Sequence, residues 1–165
     1  METKTTHTFT LKSHDVGGQF TNRHFGQGPG CPGENISPEL HWENAPRDAK
    51  AFAITMHDMD AATGSGLWHW VVYNIPPTVT SLPGDAGSLS GNNLPAGAVG
   101  GLTDVGVKGY FGPCPPAGEL HRYLITVHAL KECIPVNETA SAALTSFILN
   151  MNTLAKASLL VYARQ

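Results

Sequence analysis

A chain of 165 residues can bury one core but is short for two, so it reads as a single domain over residues 1–165. Only 14% of the residues are charged and the net charge is −3, which leaves no basic stripe for a phosphodiester backbone and excludes nucleic-acid binding as the main function. Eighteen glycines and twelve prolines point to a loop-rich, mainly β fold.

The opening stretch "METKTTHTFTL" lacks the apolar centre of a secretory leader. The chain is therefore expected to be cytoplasmic, or periplasmic only if a leader has been removed. Within it "HTFTL" alternates as a first strand. Next comes "GQGPGCPGENISPEL", whose Gly, Pro and Asn content argues against regular structure. "AFAITMHDMD" reads as a strand with Phe52, Ile54 and Met56 on one face, continued by Asp58. "LWHWVVYNI" is apolar on both parities, as a central strand covered on both sides would be. Strict alternation puts His69, Val71, Tyr73 and Ile75 on one face and Trp70 on the other.

Residues 81–118 carry Gly and Pro without periodicity and read as a functional loop region ending in "GYFGPCPPAGE". "HRYLITVHAL" restores a strand, with His121, Tyr123, Ile125 and Val127 on one face. Asn137 is the expected cap of a late helix, in which Leu144, Phe147, Ile148, Met151 and Leu154 recur at helical spacing. "SLLVYA" closes the chain as a strand. No run of eighteen apolar residues occurs, since Asn150, Asn152 and Lys156 interrupt the best candidate, and no transmembrane segment is predicted. Short strands with turn punctuation and one late helix predict a β-sandwich with a C-terminal helix.

Three separate stretches place polar side chains where a strand ends: Asp58 and Asp60 in "HDMDA", His69 in "GLWHW", and His121 with Tyr123 in "HRY". Each has a plain alternative. Aspartates at a strand end commonly bond their own turn, a histidine between tryptophans can be a satisfied core residue, and Arg122 can be a surface charge. No GxSxG elbow, HExxH helix or complete phosphate loop is present. A mixed metal site from Asp58, Asp60, His69 and His121 is conceivable, but no spacing demands it, and no metal or cofactor is predicted.

Taken together, "ENISPELHWENAP", "DMDAATGSGLWHWVVYNIP" and "GYFGPCPPAGELHRY" resemble the phosphatidylethanolamine-binding protein family, in particular its bacterial, Raf-kinase-inhibitor-like branch. The resemblance implies a Greek-key β-sandwich with a small pocket that receives an anion, often a phosphate headgroup. It puts the family's two motif aspartates on Asp58 and Asp60 and the histidine before its central strand on His69. The Gly-Pro of the rim falls on Gly112 and Pro113, and the His-Arg-Tyr stretch on His121, Arg122 and Tyr123. Met59 and Ala62 stand where the family motif has prolines. A cis peptide without proline costs about 2.5–4 kcal/mol, so a trans Ala61–Ala62 bond is expected.

The first reading of these residues is a binding module for a small anion or phosphorylated headgroup, with His69, His121, Tyr123 and the Gly112 N–H as expected donors. Asp58 is expected to share a proton with the ligand or to pair with a histidine, while Asp60 buttresses the loop. The alternatives are a regulator acting through protein contact, with residues 81–118 as its surface, and an Asp/His hydrolase, for which no activated nucleophile is visible. A homodimer is a further expectation of the resemblance. Cys31, Cys114 and Cys133 form no CxxC pair and read first as three reduced thiols; Cys31 with Cys114 is the alternative pairing in an oxidising compartment.

Overall fold

The computed structural model describes residues 7–165, which fold as a mainly β protein of ten strands and one helix. A three-stranded sheet joins β1 (Thr10–Lys12), β4 (Leu40–Glu43) and β7 (Ser81–Leu82) in the order β1-β4-β7. A five-stranded sheet runs β10-β9-β5-β6-β8, from β5 (Ala51–Asp58), β6 (Leu67–Ile75), β8 (Val99–Gly100), β9 (Leu120–Leu130) and β10 (Thr153–Arg164). The "GQGPGCPG" stretch is not wholly irregular: β2 (Gln27–Gly28) and β3 (Cys31–Pro32) make a small hairpin within it. The first strand, Thr10–Lys12, is shorter than the predicted "HTFTL", and the last, Thr153–Arg164, is longer than the predicted "SLLVYA".

The two main sheets enclose the core. Leu11, Leu40, Trp42 and Leu82 of the small sheet pack with Phe52, Ile54, Met56, Trp70, Val72, Ile125 and Val127 of the large one. The other face of the large sheet carries a second apolar cluster, in which Ala51, Ala53, Val71 and Tyr73 meet Ala142 and Leu149 of the helix. Strand β5 is therefore covered on both faces, which is why its apolar residues run on both parities.

The helix α1 (Ala142–Asn152) corrects two expectations. Its cap is Ser141, whose hydroxyl accepts from the Leu144 N–H, whereas Asn137 closes a turn by accepting from Thr139. Its buried residues are Ala142, Thr145, Ser146 and Leu149, while Leu144, Phe147 and Met151 face solvent and Leu154 belongs to β10. Positions 142, 145, 146 and 149 also share one helical face, and their small side chains let the helix lie against the sheet.

Strand β6 departs from strict alternation twice. Met56 pairs with Trp70 and His57 with Trp68, so His69 is an extra residue without a partner on β5. That is a β-bulge, and it turns His69 to the same side as Trp70. A second irregularity lies between the pairs Phe52–Ile75 and Ile54–Val72, where Asn74 has a left-handed φ of 56°. It returns Ile75 to the inner core with Val72 while Val71 and Tyr73 stay on the helix side. The expected common face of His69, Val71, Tyr73 and Ile75 is thus corrected by two added residues.

Strand β10 forms one edge of the large sheet, and among the described residues the segment Gly18–Phe20 bonds that edge at Tyr162. Cys31 and Cys114 form a disulfide with Cα atoms 5.5 Å apart, correcting the reading of three reduced thiols; Cys133 is free and exposed. The bond closes a separation of 83 residues and ties the β2–β3 hairpin to the loop leading into β9. Native protein should therefore show one reactive thiol before reduction and three after it. Cys114→Ser should lower stability by roughly 2–4 kcal/mol, read as a lower melting temperature. Three thiols in unreduced protein would contradict the pairing.

Candidate functional site

Asp58 is the last residue of β5, paired across the ladder with Leu67 of β6 and Tyr123 of β9. This register brings the ends of three strands together, and His69, Tyr123 and His121 meet around the Asp58 carboxylate. They line a cavity of about 310 Å³ with Phe111, Glu119, Ala61, Ala62 and the Cys31–Cys114 pair. The peptide bonds here are trans, Ala61–Ala62 included.

Asp58 accepts three hydrogen bonds and keeps acceptor capacity on Oδ2. Its Oδ1 accepts the N–H groups of Asp60 (2.9 Å) and Ala61 (3.1 Å), the local turn that paired aspartates favour. Its Oδ2 lies 2.8 Å from His121 Nδ1, while Glu119 Oε2 lies 2.9 Å from the other ring nitrogen. Carboxylates only accept, so both nitrogens of His121 donate when the ring is cationic. Burial alone would lower its pKa, but the bonds to Asp58 and Glu119 outweigh burial and hold it above the ordinary imidazole value.

His69 is held differently. Its Nδ1–H donates to the Phe111 carbonyl at 2.7 Å, and its ring stacks on Phe111 with centroids 5.2 Å apart. Burial lowers its pKa, against the Phe111 bond and the charge of Asp58. In the neutral ring Nε2 is a bare acceptor, 3.9 Å from Asp58 Oδ2 and too far for a hydrogen bond. The Tyr123 ring stands edge-on to His69, and its buried hydroxyl faces Asp58 and the Cys114 main chain without a partner at bonding geometry. Burial, then the Asp58 charge, raises this phenol far above its usual value.

Among the described residues, four buried side-chain polar atoms lack a partner: the indole nitrogens of Trp42 and Trp70, His69 Nε2 and Tyr123 Oη. The last two belong to residues lining this cavity.

Asp60 sits outside the cavity wall. Arg122 binds it through its guanidinium (2.8 and 3.0 Å) and its main-chain N–H (2.8 Å), holding the carboxyl down at about 2. That pair fixes the turn after β5. Gly112 and Pro113 do not line the cavity either. The Gly112 N–H, expected to reach an anion, donates instead to Asn35 Oδ1 at 2.8 Å, and Asn35 also binds the Tyr110 carbonyl. A side chain at Gly112 would run into the His24 carbonyl, so the glycine is there for close packing. The Pro113 carbonyl accepts from Gly26.

Two residues that bond the site's imidazoles, Glu119 and Phe111, were not among the candidates from the sequence. Glu119 lies two positions before His121, and the same-face rule that grouped His121 with Tyr123 could have found it. Phe111 lies in an aperiodic loop, where no pattern marks it.

The fold and this site define a mainly β protein with a carboxylate–imidazole cavity at the converging ends of three strands. The sequence profile of the phosphatidylethanolamine-binding protein family matches residues 10–164, and the chain belongs to that family. It is 48% identical over 155 residues to the UPF0098 protein YbcL of Escherichia coli K12, spanning 92% of this chain and 85% of YbcL. It is 46% identical to YbhB of the same organism, over 90% of this chain and 96% of YbhB. The crystal structure of E. coli YbcL, described as a new member of the mammalian family, superposes with a TM-score of 0.92 over 95% of this chain and 98% of that one, at 46% identity. A family homologue from Chlamydia trachomatis gives a TM-score of 0.79 at 27% identity, covering 95% of this chain and 97% of its own.

The raised pKa of His121 has a sign. Its bonds add stability that is complete below the unfolded value near 6.5 and is lost as pH rises through the higher folded value. Asp58→Asn should therefore lower the His121 titration midpoint in NMR and flatten the loss of stability on the alkaline side. An unchanged midpoint would show that Asp58 does not hold the ring.

Proposed function

We propose that the chain is a ligand-binding module whose cavity takes a small phosphorylated group, free or carried on a lipid headgroup. The observation that carries this reading is the pair of buried, unpartnered atoms, His69 Nε2 and Tyr123 Oη, on residues of the same cavity as the Asp58 carboxylate. A buried polar group left without a partner costs about 1–3 kcal/mol, and a bound polar molecule removes that cost. Membership of the phosphatidylethanolamine-binding family supports the same ligand class.

The charges select a particular form of the ligand. Asp58 and Glu119 flank one imidazolium, so a dianion would meet net repulsion. A monoprotonated phosphate ester fits instead. Its P–O–H donates to Asp58 Oδ2 or to His69 Nε2, and the Tyr123 hydroxyl donates to a phosphoryl oxygen. If the proton passes to His69, the ring becomes a cationic donor beside the bound anion. Either way one proton is held between ligand and site.

Among the described residues no serine, threonine or cysteine side chain is hydrogen-bonded to His69 or to His121, and the cysteines at the rim are joined to each other. The site is thus read as binding rather than catalytic. The disulfide favours an oxidising compartment over the cytoplasmic expectation. No helix of the described residues is long and apolar enough to cross a membrane.

Protein contact, including self-association, is a second reading with its own observation. Helix α1 presents Leu144, Phe147 and Met151 to solvent, the last two more than 60% exposed. If this face joins two copies, light scattering should give a two-chain mass that Phe147→Asp reduces to one. A one-chain mass for the native protein removes the homodimer.

Phosphomonoesters lose their second proton near pH 6, so phosphorylethanolamine should bind at least about tenfold more tightly at pH 5.5 than at pH 8. His69→Ala should abolish saturable shifts of the remaining histidine rings in an NMR titration. Equal affinities at the two pH values, or full binding by the variant, would overturn the reading.

A further inference from the structure

A second cluster of ligating side chains lies on the small sheet, apart from the cavity residues. In β4 the residues Leu40 and Trp42 enter the core, so the alternate positions Glu39 and His41 face outward. The turn after β1 is locked against them. Ser13 Oγ donates to the Glu39 carbonyl, and the Glu39 N–H donates to Asp15 Oδ2 at 2.7 Å. In return the His14 N–H donates to Glu39 Oε2, also at 2.7 Å. Two segments separated by 25 residues are thereby held in fixed relation.

This scaffold brings three potential ligands together. His41 Nδ1 lies 2.7 Å from Glu39 Oε1, and the His14 ring stacks on His41 with centroids 4.4 Å apart. One ligand atom from each of His14, Glu39 and His41 lies within 4.8 Å of the other two. The hydrogen bonds among these groups account for Glu39, but none of them involves the ring nitrogens of His14. Tetrahedral coordination at about 2.0–2.2 Å would set donor atoms roughly 3.4 Å apart. The Glu39–His41 pair, at 2.7 Å, would open slightly, and the exposed His14 side chain would turn to close its own distance.

We propose that His14, Glu39 and His41 bind a divalent transition-metal ion of the zinc class. Two imidazoles and one carboxylate suit zinc, copper or nickel, whereas magnesium and calcium require oxygen-rich shells. Three protein ligands with one on the solvent side leave a fourth position open to water. The ion would join the turn after β1 to β4, two elements related only by folding. Binding would therefore stabilise the folded chain.

The test uses tag-free protein titrated with zinc chloride by calorimetry, with melting temperature as a second readout. One ion per chain and a rise in melting temperature are expected, and magnesium should give neither. His14→Ala, at an exposed site where misfolding is not at issue, should weaken zinc binding at least about tenfold and cancel the thermal shift. Glu39→Gln keeps an oxygen for the His14 N–H and should weaken binding as well. Asp58→Asn should leave it unchanged. No heat up to about 1 mM zinc would overturn the proposal, since that bound leaves only an affinity too weak for a built site. So would wild-type affinity in His14→Ala, or loss of binding in Asp58→Asn alone, either of which places the ion elsewhere.

Discussion

One extra residue in β6 governs the geometry of the cavity. Without the bulge, His69 would follow the alternation of Val71 and Tyr73 and point at the helix side of the sheet. The inserted position sends it inward with Trp70, where the Phe111 carbonyl and the Tyr123 ring receive it. The rest of the wall is adapted to that choice. Asn35 grips the 110–112 segment from both sides, and the disulfide closes the next turn of the same loop. A bulge forfeits ladder pairing, and bulges recur where a side chain must be aimed.

Around one carboxylate the fold keeps two imidazoles in opposite condition. His121 bonds Asp58 directly, gains a second carboxylate in Glu119, and is biased toward its charged form. His69 stands 3.9 Å from the same oxygen, is buried against Phe111, and is biased toward neutrality. Environments that push two similar groups apart assign them separate tasks. One ring bonds Asp58 directly, and the other leaves Nε2 without a partner.

Much of this was legible in the sequence because strand periodicity is a strong constraint. The i, i+2 rule grouped His121 with Tyr123 and extended the Phe52, Ile54, Met56 face to Asp58, and the structure sets these groups side by side. The same rule would have reached Glu119. The bulge was not legible, since nothing in "GLWHW" marks which residue goes unpaired; only the register against β5 decides it. Helical spacing misdirected the reading of α1 because two stripes satisfy it, and the sheet accepted the one with the smaller side chains. Gly112 was rightly seen as a close-approach glycine, but what approaches it is the His24 main chain rather than a ligand.

Strand β10 carries a different implication. It is twelve residues long, and among the described residues the Gly18–Phe20 segment bonds its outer edge at Tyr162. Along the strand Leu154 and Leu160 are exposed. Lys156 and Arg164 are the charges the strand carries. A solvated ammonium on an edge strand opposes stacking of like chains. Two like chains meeting at this edge would bring these cations together, so Lys156 and Arg164 work against pairing of one copy with another.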